Sequence, residues 1–400
     1  MKKNIWKFLL GIFSFYLLFI VAACSSSDDD NFVISPPEQK HTHSVVFYMM
    51  GSSTGLEKYM DENLRRIVET APNIVNDSCK IAVFYDRDNY TQLLEIKKVD
   101  GRTKKVLLKE WNPSTTSSVD TTFMTNVLKE TRQLLNTDTY GLIMSSHGGG
   151  WVPSEIFDEY MLQTNSKRAG SANNNSKRIS RFFGQDGNSF METPQLAKAI
   201  EASGKWDYLL FDACFMSSVE GLYDLRHSAD YIIASPSEVL GAGFPYQKIL
   251  PLLFTTDHSL EKVCQAYMSS YVNSSATVAL INTSALEELA SAMKSVVSKS
   301  TTIDVDKIQG YEGFQPHLYF DLKQYAHAMT TSTAAFDAAL AKVVVYTDHT
   351  PTIYTDYGPL KGNITMAESC GLTCHIPTAD HPNTQKAFLK TAWAKAIGAK

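Results

Sequence analysis

Two strand-like stretches set the architecture of this chain: Tyr140-Gly-Leu-Ile-Met-Ser-Ser-His147-Gly-Gly-Gly-Trp151 and Asp207-Tyr-Leu-Leu-Phe-Asp-Ala-Cys214-Phe-Met216. Each begins as a short apolar run, typical of a buried β-strand, and then reaches a reactive side chain. The first run leads to the imidazole of His147, which three glycines follow. The second leads to the thiol of Cys214. A thiol and an imidazole at the ends of two buried strands can form a nucleophile–base pair.

Further strand-like and helical segments alternate around these two stretches. Strands are predicted at 44–50, 79–85, 230–235 and 276–282, and a hairpin at 93–99 and 105–111 around Asp100-Gly101. Helices are predicted at 56–71, 119–136, 215–228, 259–271, 284–300, 322–329 and 334–346, and one helix begins at Thr193-Pro194 with Thr193 as its N-cap. Such alternation predicts an α/β fold with a mostly parallel sheet covered by helices on both faces.

His147 and Cys214 both fall at the carboxyl ends of predicted strands, where ligands bind in α/β sheets. A helix at 215–228 would place the thiol at a positive helix end, which lowers a thiol pKa. The glycines leave backbone N–H groups uncovered, so the N–H groups of Gly148 and Cys214 can stabilise an oxyanion. Each residue alone also fits a structural role, the thiol as a small packed side chain and the imidazole as a core histidine.

The sequence resembles the clostripain family of cysteine peptidases in three features. The histidine precedes the cysteine, Gly148 to Trp151 follow the histidine, and the second run ends in Asp212-Ala-Cys214. The resemblance implies a caspase-like α/β/α sandwich with a mostly parallel central sheet, as in caspases, gingipains and legumains. It implies a cysteine endopeptidase acting on proteins or peptides through His147 and Cys214. It covers most of residues 44–282, together with the stretch 370–377.

The resemblance also bears on the residue preferred before the cleaved bond, the P1 residue. In the family, an acidic residue at the position of Asp212 contributes to a pocket for a basic P1 side chain. The alternative is that this carboxylate has a structural role and forms hydrogen bonds only with nearby backbone. The family's second acidic position is occupied here by Ala242, so strict specificity for Arg or Lys is not expected unless Glu238 or Asp186 compensates. Two alternatives therefore stay open: a peptidase of the same fold with a non-basic P1 preference, for asparagine or small residues, and a non-catalytic surface-binding lipoprotein on a peptidase-derived fold.

Residues 151–185 form a polar insertion longer than a usual loop between a strand and a helix. Several members of the family cleave themselves between the two catalytic residues, which makes this insertion either a self-cleavage segment or a solvated surface loop. The candidate cleavage residues are Lys167, Arg168, Lys177, Arg178 and Arg181. Some members also require calcium. The sequence has no EF-hand-like run, so calcium would have to be bound by scattered carboxylates.

The N-terminus has the pattern of a bacterial export signal. Lys2 and Lys3 precede an apolar stretch, and Val21-Ala-Ala-Cys24 resembles a lipobox in which Cys24 is lipidated; the alternative is a plain transmembrane anchor. Residues 25–30 are serine and aspartate, which fits either a surface-export signal or a solvated spacer. We expect an outer-membrane lipoprotein facing the periplasm or the cell surface, with a signal peptide at 1–23 and a tether at 24–43.

Composition limits the remaining interpretations. The chain has 400 residues and a formal net charge of −5, which argues against a nucleic-acid partner. Residues 44–282 would form the peptidase core, and a mainly helical part, 283–400, would return a strand at 370–377; we expect a monomer. Four cysteines remain, too few for a disulfide scaffold: Cys79, Cys264, Cys370 and Cys374. Export permits a bond between Cys370 and Cys374, but the strand-like stretch around them favours packed thiols there. The run Cys370-x3-Cys374-His375 lacks a second ligand pair, so no metal site is expected.

Overall fold

A nine-stranded sheet lies at the centre of the computed structural model, which describes residues 41–153, 156, 183–255, 258–299, 302–377 and 382–400. Its strands are β1 (His43–Met50), β2 (Cys79–Arg87), β3 (Tyr90–Val99), β4 (Arg102–Trp111), β5 (Thr139–Ser145), β8 (Trp206–Asp212), β9 (Ala229–Ala234), β10 (Thr277–Asn282) and β12 (Val344–His349). Short strands pair outside it: β6 (Gln185–Asp186) with β7 (Ser189–Phe190), β11 (Phe320–Asp321) with β15 (Thr373–Cys374), and β13 (Thr352–Thr355) with β14 (Gly362–Thr365).

The described α-helices are α1 (Glu57–Thr70), α2 (Thr121–Leu135), α3 (Thr193–Ser203), α4 (Val219–Asp224), α5 (Tyr246–Leu253), α6 (Leu260–Ser270), α7 (Leu286–Val297), α8 (Leu322–Met329), α9 (Ala334–Val343), α10 (Pro382–Phe388) and α11 (Ala392–Ile397). None of the helices in the described ranges is long and apolar enough to cross a membrane.

The strand order is β12-β10-β9-β8-β5-β1-β2-β3-β4, and the five central strands, β9 to β2, run parallel. Two antiparallel strands flank this centre on each side. All of β1, and all of β5 after its first residue, is buried. Strands buried on both faces must be apolar at successive positions, which is why these runs read as continuous rather than alternating.

Helices cover both faces of the sheet. One face packs Val46, Leu142 and Leu209 against α2, α3 and α7. The opposite face packs Val45 and Ile143 against α1, α5 and α6. Side chains at successive strand positions point to opposite faces, so neighbouring residues of one strand enter different cores. The result is an α/β/α sandwich with a parallel centre, which confirms the predicted fold class.

Several local predictions were wrong. The helix at Thr193-Pro194 is capped by Glu192, whose side chain and that of Gln195 form a capping box, so Thr193 is the first helical residue rather than the N-cap. The helix predicted at 215–228 is shortened to α4. Phe215 has a φ of 58°, and its N–H donates to Ser237 O at 3.0 Å. The segment after Cys214 therefore bonds sideways to the chain at 235–237 before any helix begins.

The C-terminal part also differs from the sequence-based prediction. Residues 344–346, predicted to end a helix, instead begin β12, which pairs antiparallel with β10 and so joins the part after residue 282 to the main sheet. Within the predicted strand 370–377, only β15 is extended, and it pairs with β11. Among the described residues, no disulfide bond joins any of the five cysteines, Cys79, Cys214, Cys264, Cys370 and Cys374.

Candidate functional site

The parallel pairing of β5 with β8 brings the two reactive side chains to one edge of the sheet. Ser145 lies opposite Asp212 at the end of this pairing. Two further residues along each chain lead to His147 and Cys214, so the register places them at the same level just beyond the carboxyl ends of neighbouring strands. Neighbouring strands lie about 4.8 Å apart, and both side chains are partly exposed. The sequence-based expectation that these residues share one edge therefore agrees with the topology.

Glycines hold the segment after His147 against the segment of Cys214. A Cβ atom placed on Gly148 would lie 2.4 Å from Cys214 O and 3.2 Å from Cys214 N. One placed on Gly150, which has a φ of 59°, would lie 2.6 Å from Phe215 O. Only glycine permits so close an approach of two backbones. The contact brings the peptide groups of Gly148 and Cys214 together, as a shared oxyanion site requires.

His147 is oriented by a backbone carbonyl that sequence reasoning had not identified. Its Nε2 lies 3.0 Å from Thr54 O, in the loop between β1 and α1. A carbonyl oxygen can only accept, so in the neutral imidazole Nε2 carries the proton and Nδ1 is the basic nitrogen. The signal in the sequence was positional, because Gly51 to Gly55 follows β1, the strand next to β5.

Asp88 fixes the loop that carries this carbonyl. Its Oδ1 accepts from the N–H of Ser53 at 2.6 Å and from the hydroxyls of Ser53 and Ser52. Desolvation opposes these bonds, but together they hold the pKa of Asp88 below its usual value. Ser53 has a φ of 51°, a conformation uncommon for a serine. Asp88 therefore acts on the imidazole indirectly, by holding the loop of Thr54.

The Cys214 thiol lies against the backbone of Val239. Val239 N–H donates to Sγ at 3.3 Å, and Sγ lies 3.7 Å from Val239 O. The prediction that a helix dipole acts on the Cys214 thiol is wrong. The helix α4 begins only at Val219, and the dipole effect falls off within the first turn of a helix.

Burial makes three other thiols less reactive. Burial raises the pKa of Cys264, Cys370 and Cys374 well above the usual range for a thiol. A raised pKa leaves little thiolate at neutral pH, and the thiolate is the nucleophile.

Asp212 ends β8 and is buried under the loop that follows β9. Its Oδ2 accepts from the Tyr246 hydroxyl at 2.7 Å. Burial raises the pKa of Asp212 to about 6, while hydrogen bonds from Tyr246 and the Phe244 N–H oppose that rise. A Cβ atom on Gly243 would lie 2.4 Å from Oδ2, so backbone covers the carboxylate closely. A P1 side chain could reach it only if this loop moved.

The two acids considered as substitutes for Ala242 bond elsewhere. Glu238 accepts from the Thr355 hydroxyl at 2.6 Å and from the Asp356 N–H at 3.1 Å. Asp186 accepts from the Ser118 N–H at 3.1 Å. Neither of these contacts involves Asp212. Cys24 and the five candidate cleavage residues, Lys167, Arg168, Lys177, Arg178 and Arg181, lie outside the described residues.

The described residues do not provide a calcium cage. Within them, no group of three or more His, Cys, Asp or Glu side chains converges as metal ligands would. Calcium takes six to eight oxygen ligands, usually with several carboxylates. The residues present in the described ranges therefore do not fit the ion, and no chemical step is assigned to it.

Comparison with known proteins identifies the family and supports the fold. The family model described as the clostripain family matches residues 47–391. An inactive zymogen C11 protease from Parabacteroides distasonis is 26% identical, with a TM-score of 0.77 over 90% of this chain and 98% of that chain. A secreted C11 cysteine protease from Bacteroides thetaiotaomicron, in complex with an irreversible peptide inhibitor, is 25% identical, with a TM-score of 0.75 over 89% of this chain and 98% of that chain. No curated protein sequence matches the chain.

Proposed function

Because the chain belongs to the clostripain family of cysteine peptidases, we propose that it is an endopeptidase in which Cys214 is the nucleophile and His147 the general base. The observation that carries this proposal is the register of β5 and β8, which puts the two residues at the same level on one sheet edge. The close approach of Gly148 to Cys214 supports it, because that approach brings two backbone peptide groups to the nucleophile.

In the proposed reaction, His147 takes the thiol proton on Nδ1 while Nε2–H remains bonded to Thr54 O. The Cys214 sulfur attacks the peptide carbonyl and forms a tetrahedral oxyanion, which the N–H groups of Gly148 and Cys214 stabilise. His147 then gives its proton to the leaving amine, and a thioester remains on Cys214. Water, deprotonated by His147, attacks the thioester and releases the second product with the thiol restored.

The residues beside the nucleophile support weak or broad P1 selectivity. Asp212 is the acidic residue among them, and Ala242 contributes no second carboxylate. Two carboxylates hold a guanidinium better than one, and this one is already bonded to Tyr246. A basic P1 residue would compete with the Tyr246 hydroxyl for Asp212. A same-fold peptidase with non-basic specificity is the second candidate, favoured by the burial of this carboxylate.

Two further proposals concern the proteolytic maturation and the localisation of the chain. The basic segment 151–185 lies between the proposed catalytic residues, and long polar insertions are preferred sites of proteolysis. A similar protein is described as an inactive zymogen, which supports maturation by self-cleavage here. The lipobox-like Val21-Ala-Ala-Cys24 supports lipidation at Cys24, anchoring to the outer membrane and exposure to the periplasm or surface. Mass spectrometry of the mature N-terminus tests this, and an unmodified Cys24 would refute it.

The function is tested by peptide-library cleavage with wild type, Cys214→Ala and His147→Ala. Each substitution is expected to remove nearly all turnover while the thermal unfolding midpoint changes little, because both side chains are partly exposed. Cys79→Ala is the matched control, since Cys79 is a partly exposed thiol at the opposite, amino end of the sheet. Full turnover by Cys214→Ala would refute the assignment. A wild type that cleaves nothing would favour the non-catalytic binding protein.

A further inference from the structure

The segment from Gly310 to Tyr319 supports the backbone that carries the proposed oxyanion site. Tyr319 is fully buried, and its hydroxyl donates to Gly149 O at 2.6 Å. Its ring stacks on Phe215, with centroids 4.5 Å apart and planes 16° apart. Phe215 directly follows Cys214. One side chain therefore touches the backbone after His147 and the residue after the nucleophile.

Three consecutive glycines need such support. Glycine has no side chain to pack and more backbone freedom than any other residue, so contacts from outside must fix Gly148, Gly149 and Gly150. The fold supplies them through the carbonyls. Gly184 N–H donates to His147 O at 3.0 Å, Tyr319 to Gly149 O, and the Thr193 hydroxyl to Gly150 O at 2.5 Å. Tyr319 is distinct among these donors because it also contacts the residue next to Cys214.

Tyr319 is itself held rigidly. The carboxylate of Glu312, fully buried, accepts from Leu318 N–H at 2.6 Å, from Tyr319 N–H at 3.1 Å and from Phe314 N–H at 2.6 Å. Tyr311 N–H donates to Tyr319 O at 3.1 Å. A buried carboxylate with several N–H donors is costly to displace. The phenol therefore rests on a fixed base rather than on a mobile loop.

We propose that Tyr319 is a positioning residue for the reaction: it fixes the Gly148–Gly150 backbone relative to Cys214, so that the two oxyanion donors keep their spacing during catalysis. This proposal rests on the proposed function of Cys214 and His147. It does not place Tyr319 in contact with substrate. Its effect should appear only in steps that develop charge on the carbonyl oxygen.

Tyr319→Phe tests the proposal in the full chain, because it keeps the ring on Phe215 and removes only the hydroxyl. We expect kcat to fall about tenfold, since small misplacements of catalytic groups have effects of this order, while KM changes less than about twofold. Binding of a peptide aldehyde, whose thiol adduct carries the oxyanion, should weaken in parallel. Alkylation of Cys214 by iodoacetamide should keep its wild-type rate, because alkylation forms no oxyanion.

Tyr311→Phe is the matched control. Tyr311 is buried in the same segment, and its hydroxyl bonds Asp321 at 3.0 Å and Ser369 at 2.7 Å, away from the glycines. It should destabilise the fold comparably and leave kcat unchanged. Glu312→Gln provides a second variant, expected to lower kcat to an intermediate value by loosening the base of Tyr319.

The outcomes separate this inference from the proposed function. A Tyr319→Phe enzyme with kcat within twofold of wild type would overturn the positioning role, as would an equal loss of turnover and alkylation rate. Turnover retained by Cys214→Ala would instead refute the proposed function itself.

Discussion

Gly148→Ala is the most informative single change at the proposed site, because the structure shows how far the added Cβ would displace the segment of Cys214. The added Cβ would lie 2.4 Å from Cys214 O, and ordinary contact begins at 3.4 Å. The two segments must therefore separate by about 1 Å. A displacement of that size costs on the order of 10²-fold in rate, which corresponds to about 2.7 kcal/mol of transition-state stabilisation. Gly148 does not have a positive φ, so the backbone itself is not strained by alanine.

The assay compares kcat and KM on a fluorogenic peptide with the midpoint of chemical denaturation. We expect kcat of Gly148→Ala to fall about 100-fold, with a loss of about 1–3 kcal/mol in the free energy of unfolding from overpacking. Gly101→Ala is the control, because Gly101 has a φ of 73° and open space around it at the tip of the β3–β4 hairpin. It should cost about 1 kcal/mol of stability and leave kcat unchanged. Wild-type kcat in Gly148→Ala would refute the oxyanion geometry.

Three further predictions follow from the pocket, the insertion and a buried carboxyl group. Ala242→Asp should improve cleavage after Arg or Lys on a P1 peptide series, and sharp Arg preference unaffected by Asp212→Ala would contradict the pocket assignment. Wild-type protein should convert on standing into two associated fragments cut within 151–185, as N-terminal sequencing would show, whereas Cys214→Ala should stay intact; a fully active single chain would make the insertion a plain surface loop. Burial raises the pKa of Glu220 from 4.5 to about 8. The stability associated with its protonated form is therefore complete below pH 4.5 and is lost as pH rises through 8. Glu220→Gln should stabilise the protein at pH 9 but not at pH 5, and an equal change in the free energy of unfolding at both pH values would disprove this.

The central strands were predictable because burial on both faces leaves a continuous apolar pattern. The predicted runs at 44–50 and 79–85 lie within β1 and β2, and the predicted hairpin turn at Asp100-Gly101 joins β3 to β4. Local signals such as a turn dipeptide or an apolar run do not depend on distant contacts. The position of His147 and Cys214 at the carboxyl ends of two strands also followed from the apolar runs, whereas their common level follows from the register of β5 and β8.

The failures came where distant contacts override local pattern. Residues 215–228 have a helical pattern, yet the backbone after Cys214 bonds to Ser235 and Ser237 and turns at Phe215. Val344 to Tyr346 read as a helix end, but pairing with β10 extends them. The contact from Thr54 to His147 joins residues 93 apart in sequence. No spacing rule connects such residues, because a backbone carbonyl carries no sequence signature.

The site residues beyond the two reactive side chains show the same limit. Tyr246, which bonds Asp212, and Tyr319, which bonds Gly149, lie on segments that meet the strand ends only after folding. Burial of Asp212 could not be read from its position two residues before Cys214. The sequence indicates which strands end at the proposed catalytic site. The positions of the loops that complete this site depend on tertiary packing.

The central claim is that Cys214, activated by His147, is the nucleophile, and mapping the adduct of an irreversible peptide inhibitor tests it most directly. The full chain is treated with an inhibitor reactive towards thiols, digested and analysed by mass spectrometry. We expect one adduct, on Cys214, formed at a rate that falls by at least about 100-fold in His147→Ala. Cys79, Cys264, Cys370 and Cys374 should remain unmodified. An adduct on one of these thiols with Cys214 unlabelled, or labelling of Cys214 unaffected by His147→Ala, would contradict the account.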